Sequence, residues 1–579
     1  MQLALVLLYL LSKLKLLKKG EKMKKQIKPG LLLVLFWSLL IMQAHADFGT
    51  GGYQYVSKLY TEALGKVPDQ SGWKFWTEDI LGQNDVTPQM LSHVGIEFYT
   101  CEAFYAIYGN DYKSMLLALY RGCLSREPDQ AGFHFWLNLI QNRNHWEIVV
   151  KEFFDSTYFK TDIAKDIIDN NYRGWNPVSP VIAINEEWSA QDLQSRIDEA
   201  VEQNTYLVEI PQNTVIRVGQ NDSDSGYSCI VVHENVTIKT QGIDNNYNAY
   251  AKMARIVRSS FINNGLYSGE IIALKPGAKL EGVWIDGQRN INGYAIKQIN
   301  VFVTGNYNLH HPTIVEGCRI SNTCGWTQLQ SLNDYRYLEF WGLGNTSQIK
   351  ICKNLITNYS GSHCVNQWSD GISIGSSEGT VSQNMIVDPT DVGIVVSSNV
   401  LHNQNTKFHY NTIANISNSA FGGIGADTNH RVVHETFSSS GIIKGTYEDP
   451  LPMTTEFIGN TIWTSKAAHI NIAIVVGSGT WWHDGVVDGI IALNNQVGFP
   501  ESKANVGIGI AISGVVNPIV KENPLWLNLG SYTRESCQIG IDLSFYPDEV
   551  YPFDVQDNYT MYESMFFFVT NDGYNSCQY

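Results

Sequence analysis

The chain has 579 residues, of which 44% are hydrophobic and 17% are charged. This composition excludes a disordered chain, and the length allows several domains or one long solenoid with an added domain. The formal net charge is −16, and eight of the 40 Lys and Arg lie in the first 46 residues, so the rest of the chain is more acidic still. We expect no nucleic-acid binding, because no basic surface is available to phosphates.

The first 46 residues have the pattern of a secretory signal peptide. After Met23, the expected true start, two lysines precede an apolar run at residues 31–40 and an A-x-A cleavage site at residues 44–46. Cleavage would leave a mature chain that begins at Asp47. No later stretch approaches ~18 uninterrupted apolar residues, so no stable transmembrane anchor is expected after cleavage. We predict a secreted, periplasmic or cell-surface protein; the alternatives are a longer bipartite signal and an uncleaved N-terminal anchor.

All nine cysteines follow the signal region, and export would allow disulfides to form. Cys101 with Cys123, and Cys537 with Cys577, are the predicted local pairs, and buried free thiols are the alternative. The cysteine spacings are not those of a zinc site, so no metal ligands are predicted among them.

Residues 53–175 carry apolar and aromatic side chains at helical spacing and contain an internal duplication. Eight residue types recur at an offset of 60 positions: Tyr60, Leu64, Pro68, Asp69, Gln70, Gly72, Phe75 and Trp76 match Tyr120, Leu124, Pro128, Asp129, Gln130, Gly132, Phe135 and Trp136. Each Pro-Asp pair ends one helix and allows the aspartate to cap the next. The unit resembles a helical domain of unknown function in secreted and surface bacterial proteins, which implies attachment to the cell surface or to carbohydrate. We predict a small all-α domain over residues 47–176 and a linker over residues 177–188.

An amphipathic segment at residues 189–203 then precedes two apolar strands at residues 207–210 and 215–218. This order resembles the N-terminal cap of secreted right-handed parallel β-helix proteins such as pectate lyases and polygalacturonases. A cap helix is expected there, because a solenoid must cover the apolar end of its first coil.

The chain beyond the cap consists of short β runs separated by Gly, Asn and Ser, with Asn-x-Ile triplets that begin at Asn354, Asn384, Asn411 and Asn460. In a parallel coil the Ile side chains would stack inward and the Asn amides would form a ladder at a bend. The hairpin turns typical of a β-sandwich or propeller are not seen. We predict a mainly β chain, a right-handed parallel β-helix (a single-stranded solenoid) over residues 189–545, with a C-terminal tail or cap over residues 546–579.

Two aspartates mark the candidate catalytic site. Asp370 and Asp391 are 21 residues apart, about one coil, so their carboxylates could lie on one sheet at adjacent levels roughly 5 Å apart and act as an acid/base pair. Because Val392 and Ile394 are expected to point inward, Asp391 should point outward. Asp370 shares the parity of the inward Ile372, so it can reach solvent only if it lies at the bend before the strand. The alternative is that both aspartates are turn residues of successive coils.

The sequence around these aspartates resembles part of the polygalacturonase pattern. Asp370-Gly371 matches that family's Asn-Thr-Asp-Gly motif, although Val392 replaces the second aspartate of the following pair, and no His-Gly or Arg-x-Lys motif follows. The fold resemblance also implies a lyase as an alternative, with His363 as a candidate base and either calcium or a basic group to neutralise the uronate. The sequence itself specifies no cofactor.

Aromatic residues indicate carbohydrate contact, because their rings stack on the faces of sugars. The candidates for substrate binding are Trp341, Trp368, Trp481 and Trp482. By contrast, Trp284-Ile285-Asp286-Gly287 is interpreted as a coil turn. We therefore predict a polysaccharide-active protein, either a lyase or a glycoside hydrolase, acting on an acidic or other polysaccharide. The alternative is a non-catalytic carbohydrate-binding or adhesion protein attached to the cell surface through its helical domain.

Overall fold

The structure is a computed structural model. It describes residues 49–82, 85–143, 145–172, 174, 181–219, 222, 228–262, 269–304, 311–331, 347–357, 368–375, 377–397, 406–427, 451–452, 455–476, 487–488, 490–512, 515–516, 519–528 and 554–555. The predicted signal peptide and its cleavage site lie outside these residues, so secretion stays a prediction, and so do the domain boundaries. Among the described residues no helix is both long and apolar enough to cross a bilayer.

The first part of the described chain is helical. Its α-helices are Gly49–Ala63, Gln70–Lys74, Pro88–Thr100, Glu102–Tyr108, Tyr112–Cys123, Gln130–Arg143, Trp146–Asp155 and Ala164–Ile168, with π-helical turns at Phe75–Ile80 and Phe159–Ile163. The duplicated Pro-Asp motif acts as predicted: Asp69 accepts a hydrogen bond from the Gly72 N–H at 2.9 Å, and Asp129 accepts one from the Gly132 N–H at 2.7 Å. Both aspartates therefore cap the helix that follows.

The predicted disulfide between Cys101 and Cys123 does not form. Both are free thiols. The Cys101 Sγ faces the Phe98 carbonyl oxygen at 3.3 Å, whereas Cys123 is fully buried in the helical core. Cys229, Cys318, Cys324 and Cys352 are also buried free thiols, and the predicted pair Cys537 and Cys577 lies outside the described residues.

The cap of the β-helix is the helix Ala190–Glu202. Ser189 begins it with a capping box, in which Ser189 and Asp192 each accept a hydrogen bond from the other's backbone N–H. Its buried face, which includes Leu193 and Ile197, packs into the core of the solenoid. The strands predicted at residues 207–210 and 215–218 are observed at those positions.

Three long parallel sheets form the solenoid, and each full coil contributes one strand to sheet B, then sheet A, then sheet C. The described strands of sheet A are Glu187–Ser189, Val215–Val218, Arg255–Arg258, Trp284–Asp286, Arg319–Ser321, Leu355–Thr357, Met385–Val387, Thr412–Asn415, Thr461–Thr464 and Gln496–Val497. Those of sheet B are Leu207–Ile210, Thr237–Thr240, Lys279–Glu281, Thr313–Glu316, Ser347–Cys352, Ser377–Ser382, Thr406–His409, Glu456–Ile458, Ile491–Leu493, Ile519–Lys521 and Asp554–Val555. Those of sheet C are Ser228–Val232, Gly269–Leu274, Gln298–Val303, Thr327–Ser331, Asp370–Gly375, Val392–Ser397, Ala420–Asp427, Ile470–Val476, Ala504–Ile512 and Leu527–Asn528.

A small fourth sheet joins Leu451–Pro452, Val487–Asp488 and Val515–Val516. The chain is thus mainly β, a parallel β-helix preceded by a helical region, as predicted. The segment Trp284–Asp286, interpreted from the sequence as a turn, is a strand of sheet A.

The interior of the solenoid is held by aliphatic stacks and an asparagine ladder. Ile356, Ile386, Ile413 and Ile462 occupy successive levels of sheet A and are almost fully buried. At the bend before these strands, each Asn amide donates to the Oδ1 of the Asn in the next coil at 2.8–3.0 Å. The ladder comprises Asn354, Asn384, Asn411, Asn460, Asn495 and Asn523. The sequence had indicated the first four of these residues.

The helical region packs on the outer face of sheet A. One continuous apolar cluster contains helical residues together with Trp284, Leu355 and Trp463 of that sheet. Trp73 of the helical region contacts Trp463, with ring centroids 5.4 Å apart. The outer face of sheet A is therefore an internal interface.

Buried ion pairs cross this interface. The Arg319 guanidinium donates to the two carboxylate oxygens of Glu62 at 2.6 and 3.3 Å, and Tyr250 donates a short hydrogen bond to Glu62. In a second group, Glu127 accepts from Arg121 of the helical region and from Arg255 of sheet A. Each pair satisfies charges that would otherwise be buried alone.

Trp284 lies at the centre of both groups. The guanidinium carbons of Arg255, Arg319 and Arg121 lie 3.7, 4.4 and 4.8 Å from its ring centroid. Such contacts stabilise a desolvated cation through the negative face of the ring. Asp286, two residues further on, accepts hydrogen bonds from Arg255, so this carboxylate belongs to the interface.

Candidate functional site

Asp370 begins a strand of sheet C, and its side chain lies on the outer face of that sheet. The carboxylate accepts hydrogen bonds from the Val392 N–H at 3.0 Å and from the Ser373 hydroxyl at 2.8 Å. Residues three apart in a regular strand point to opposite faces, so the bond to Ser373 shows that the alternation is broken between them. Asp370 therefore does not share the orientation of Ile372, although it is the first residue of the strand rather than part of the bend before it.

The break lies at Gly371 and Ile372. Ile372 points into the core, and a Cβ atom placed on Gly371 would also point inward, 2.9 Å from the Ile386 side chain and 2.5 Å from the Gly393 carbonyl oxygen. Two successive inward positions are a local irregularity of the kind a β-bulge produces. Glycine is needed at 371 because no side chain fits there.

Asp391 comes directly before the next strand of sheet C and is half-buried. Its backbone N–H donates to the Ser369 carbonyl oxygen at 3.2 Å, and its own carbonyl accepts from the Phe421 N–H at 2.8 Å. Burial raises the pKa of Asp391 to about 7. The side chain is therefore partly protonated at neutral pH and can donate a proton.

The residue after Asp391 departs from the predicted alternation. Ile394 and Val396 are in the core, but Val392 packs in a separate cluster with Val395 and Phe421. Because the Val392 N–H binds the Asp370 carboxylate, Asp391 lies one residue from that contact, in the coil next to Asp370. The two aspartates therefore lie in adjacent coils, with Asp391 just outside the strand, and the separation of roughly 5 Å between their carboxylates stays a prediction.

Tyr294 and Arg289, which the sequence did not indicate, complete the group. The Tyr294 hydroxyl donates to the Trp368 carbonyl oxygen at 3.0 Å, and the Arg289 Nη1 donates to the Ser369 Oγ at 2.8 Å. Burial raises the pKa of Tyr294, the Arg289 cation opposes this, and the negative charges of Asp391 and Asp370 raise the pKa further. Tyr294 therefore lies near both carboxyl groups and stays protonated.

Burial lowers the pKa of the Arg289 guanidinium, which lies 4.6 Å from the Tyr294 ring centroid. No local pattern in the sequence marked Arg289, although it follows the Asp286-Gly287 pair that was interpreted as a turn. Nothing in the spacing indicated that its partner would be Ser369, 80 residues away.

Of the other predicted site residues, Trp368 is described and half-buried, next to Ser369 and Asp370. His363, Trp341, Trp481 and Trp482 lie outside the described residues, and their roles stay predictions. In the part of the chain that the structure describes, no three His, Cys, Asp or Glu side chains gather in a way that could hold a metal ion.

The sequence matches no protein-family model and no curated protein. Among solved structures, the chain is similar to a GH136 lacto-N-biosidase from Eubacterium ramulus, determined as a selenomethionine derivative. The identity is 10% and the TM-score is 0.17, over 83% of this chain and 92% of that chain. A similarity this weak supports no statement about the activity of the present chain.

Proposed function

We propose that this chain is a glycoside hydrolase that cleaves a polysaccharide at the corner between sheets A and C, with Asp391 as general acid and Asp370 as base or nucleophile. The observation that carries the proposal is the placement of the two carboxyl groups in adjacent coils and in different environments. Asp370 is 5% exposed and its carboxylate accepts two hydrogen bonds, which favour the ionised form, whereas burial raises the pKa of Asp391 to about 7. Glycoside hydrolysis needs one protonated and one ionised carboxyl group beside the bond that breaks.

We favour the hydrolase over the lyase because Tyr294, the described residue that could act as the base for elimination, holds its proton too tightly. A β-elimination lyase needs a neutral group that removes a proton from the substrate. Tyr294 is the described candidate, but burial and the two aspartates raise its pKa, so it keeps its proton at neutral pH. His363, the base predicted for a lyase, lies outside the described residues.

A purely carbohydrate-binding protein is the second candidate. It is favoured by Trp368, a half-buried aromatic residue next to the aspartates, whose backbone is held by Tyr294. In that case the chain would bind a polysaccharide without cleaving it.

We further propose that either activity operates outside the cytoplasm after signal-peptide cleavage, which mass spectrometry would show as a mature N-terminus at Asp47.

The experiment is a screen of the purified chain on acidic and neutral polysaccharides, with reducing ends as the signal of hydrolysis and unsaturated ends as the signal of elimination. Asp391→Asn should reduce hydrolysis by about 10²- to 10⁴-fold while the protein stays folded. The matched control is Asp244→Asn, since the Asp244 side chain is 76% exposed in a distant loop. Full activity of folded Asp391→Asn would refute the site assignment, unsaturated ends would favour the lyase, and binding without cleavage would favour the second candidate.

A further inference from the structure

Two side chains of one short segment, Arg289 and Tyr294, reach across an intervening coil to hold the segment that carries Asp370. The strand after Tyr294 pairs with Thr327–Ser331, which in turn pairs with Asp370–Gly375, so the bridge spans two levels of the solenoid. Its two hydrogen bonds end on consecutive residues, Trp368 and Ser369. The bridge therefore fixes the backbone immediately before Asp370.

The intervening coil makes room for this bridge at Gly325. A Cβ atom on Gly325 would lie 1.8 Å from the carbonyl oxygen of Gln298, so the corner of this coil lies flat against the coil before it. The Ser369 hydroxyl donates to the Gly325 carbonyl oxygen and accepts from Arg289. The corner is thereby tied to both neighbouring levels.

The Tyr294 ring has Arg289 on one side and the two carboxyl groups close to its hydroxyl. Among the described residues, the charges that act on Tyr294 are those of Arg289, Asp391 and Asp370. The titratable groups that act on Arg289 include Tyr294 and the buried thiol of Cys324. The hydroxyl of this half-buried tyrosine thus lies on the side of the aspartate pair that faces the preceding coils.

We propose that Tyr294 is a positioning residue of this site: its ring excludes water from Asp391, and its hydroxyl, together with Arg289, holds the backbone that orients Asp370. The effect on catalysis rests on the proposed function, whereas the exclusion of water is a property of the free protein. The two parts can therefore be tested separately.

The first test measures the pKa of Asp391 without any substrate. The free energy of unfolding is followed from pH 4 to pH 9 for four proteins, namely the wild type, D391N, Y294A and Y294A/D391N. The difference within each pair reports the protonation of Asp391. Loss of the ring should lower the pKa of Asp391 from about 7 by about one unit or more, because water then reaches the carboxylate.

Y410A is the matched control, since Tyr410 is 63% exposed and lies at the corner between sheets B and A, whereas the site lies at the corner between sheets A and C. It should leave the pKa of Asp391 unchanged. If Y294A does not fold, Y294L takes its place in the test, and the pKa of Asp391 should then fall by less. An unchanged pKa in the folded Tyr294 variant would overturn the proposal.

The second test uses a polysaccharide that the wild type cleaves. Y294F keeps the ring but loses the hydrogen bond to the Trp368 carbonyl, so kcat/KM should fall about fivefold, with the alkaline limb of the pH profile unmoved. An unchanged kcat/KM would overturn the positioning role of the hydroxyl. If no polysaccharide is cleaved, the proposed hydrolase fails, and the first test still decides whether Tyr294 shields Asp391.

Discussion

Replacing Glu62 with glutamine removes the negative charge from a buried ion pair between the helical region and sheet A. Glu62 and Arg319 are each 1% exposed. Burial raises the pKa of Glu62, but the Arg319 cation and its hydrogen bonds more than offset this and hold the pKa at about 2. At pH 7 the variant therefore leaves the Arg319 cation without its partner in the interior.

Breaking a buried ion pair on one side costs about 3–5 kcal/mol, a large part of the ~5–15 kcal/mol that stabilises a typical domain. Lys58 should not add to this cost. Burial lowers its pKa to about 7 while Glu62 opposes the decrease, so without Glu62 the lysine becomes neutral at pH 7. Arg319→Met should cost less, because Arg319 lowers the pKa of Lys58 and its removal allows Lys58 to become charged beside Glu62.

The assay is urea unfolding at pH 7, followed by tryptophan fluorescence, for Glu62→Gln, Arg319→Met and the double variant. The double variant should lose about 2 kcal/mol less stability than the two single variants lose in sum, since it leaves neither charge unpaired. The control is the exposed pair Lys74 and Glu501, which also joins the helical region to the solenoid, at 2.8 Å. Its removal should have no measurable effect. The reasoning would be refuted if the stability losses of the Glu62 and Arg319 single variants were small. It would also be refuted if the loss of the double variant equalled their sum.

Three further predictions concern the solenoid. Asp391→Asn should stabilise the protein increasingly as pH rises from about 4 to 8, because the folded-state pKa of about 7 lies about three units above that of the unfolded chain and ionisation therefore costs stability, by about 4 kcal/mol in all. Equal stability gains at pH 4 and pH 8 in urea unfolding would contradict this. Asn411→Ala should lower the free energy of unfolding by about 3 kcal/mol in the same assay, since four buried hydrogen bonds of the ladder lose their partner. A loss within experimental error would show that the ladder is not needed for stability. Gly393→Ala should lower the melting temperature, because the new Cβ would lie 2.5 Å from the Gly423 carbonyl oxygen. Gly422→Ala is the control and should have little effect, because the nearest atom to its Cβ lies at 3.3 Å. Equal melting temperatures of the two variants would contradict the packing argument.

The parts of the fold that repeat along the chain could be predicted from the sequence. The cap helix, the first two strands and four of the ladder asparagines follow from periods of two, of 3.6 and of one coil. The predicted pair Asp370 and Asp391 is also brought together, because one coil separates the two residues.

The remainder depends on contacts between residues far apart in the chain. Glu62 and Arg319 are 257 positions apart, and no local pattern shows that the helical region covers sheet A rather than sheet B or C. The alternation that assigned Asp370 and Val392 to the interior fails because an extra inward position is inserted after each of them, at Gly371 and at Gly393. Periodicity assumes a regular strand, so it misplaces every residue before such a break.

The charged interface described above limits how this protein could have been assembled from modules. Glu62 and Glu127 on the helical side must meet Arg319 and Arg255 on the solenoid side. A helical repeat transferred to another solenoid would bury acidic groups against a surface without matching cations, at a cost of several kcal/mol for each unpaired charge. Recombination between relatives should therefore preserve the two parts together, and a change on one side should be accompanied by a compensating change on the other.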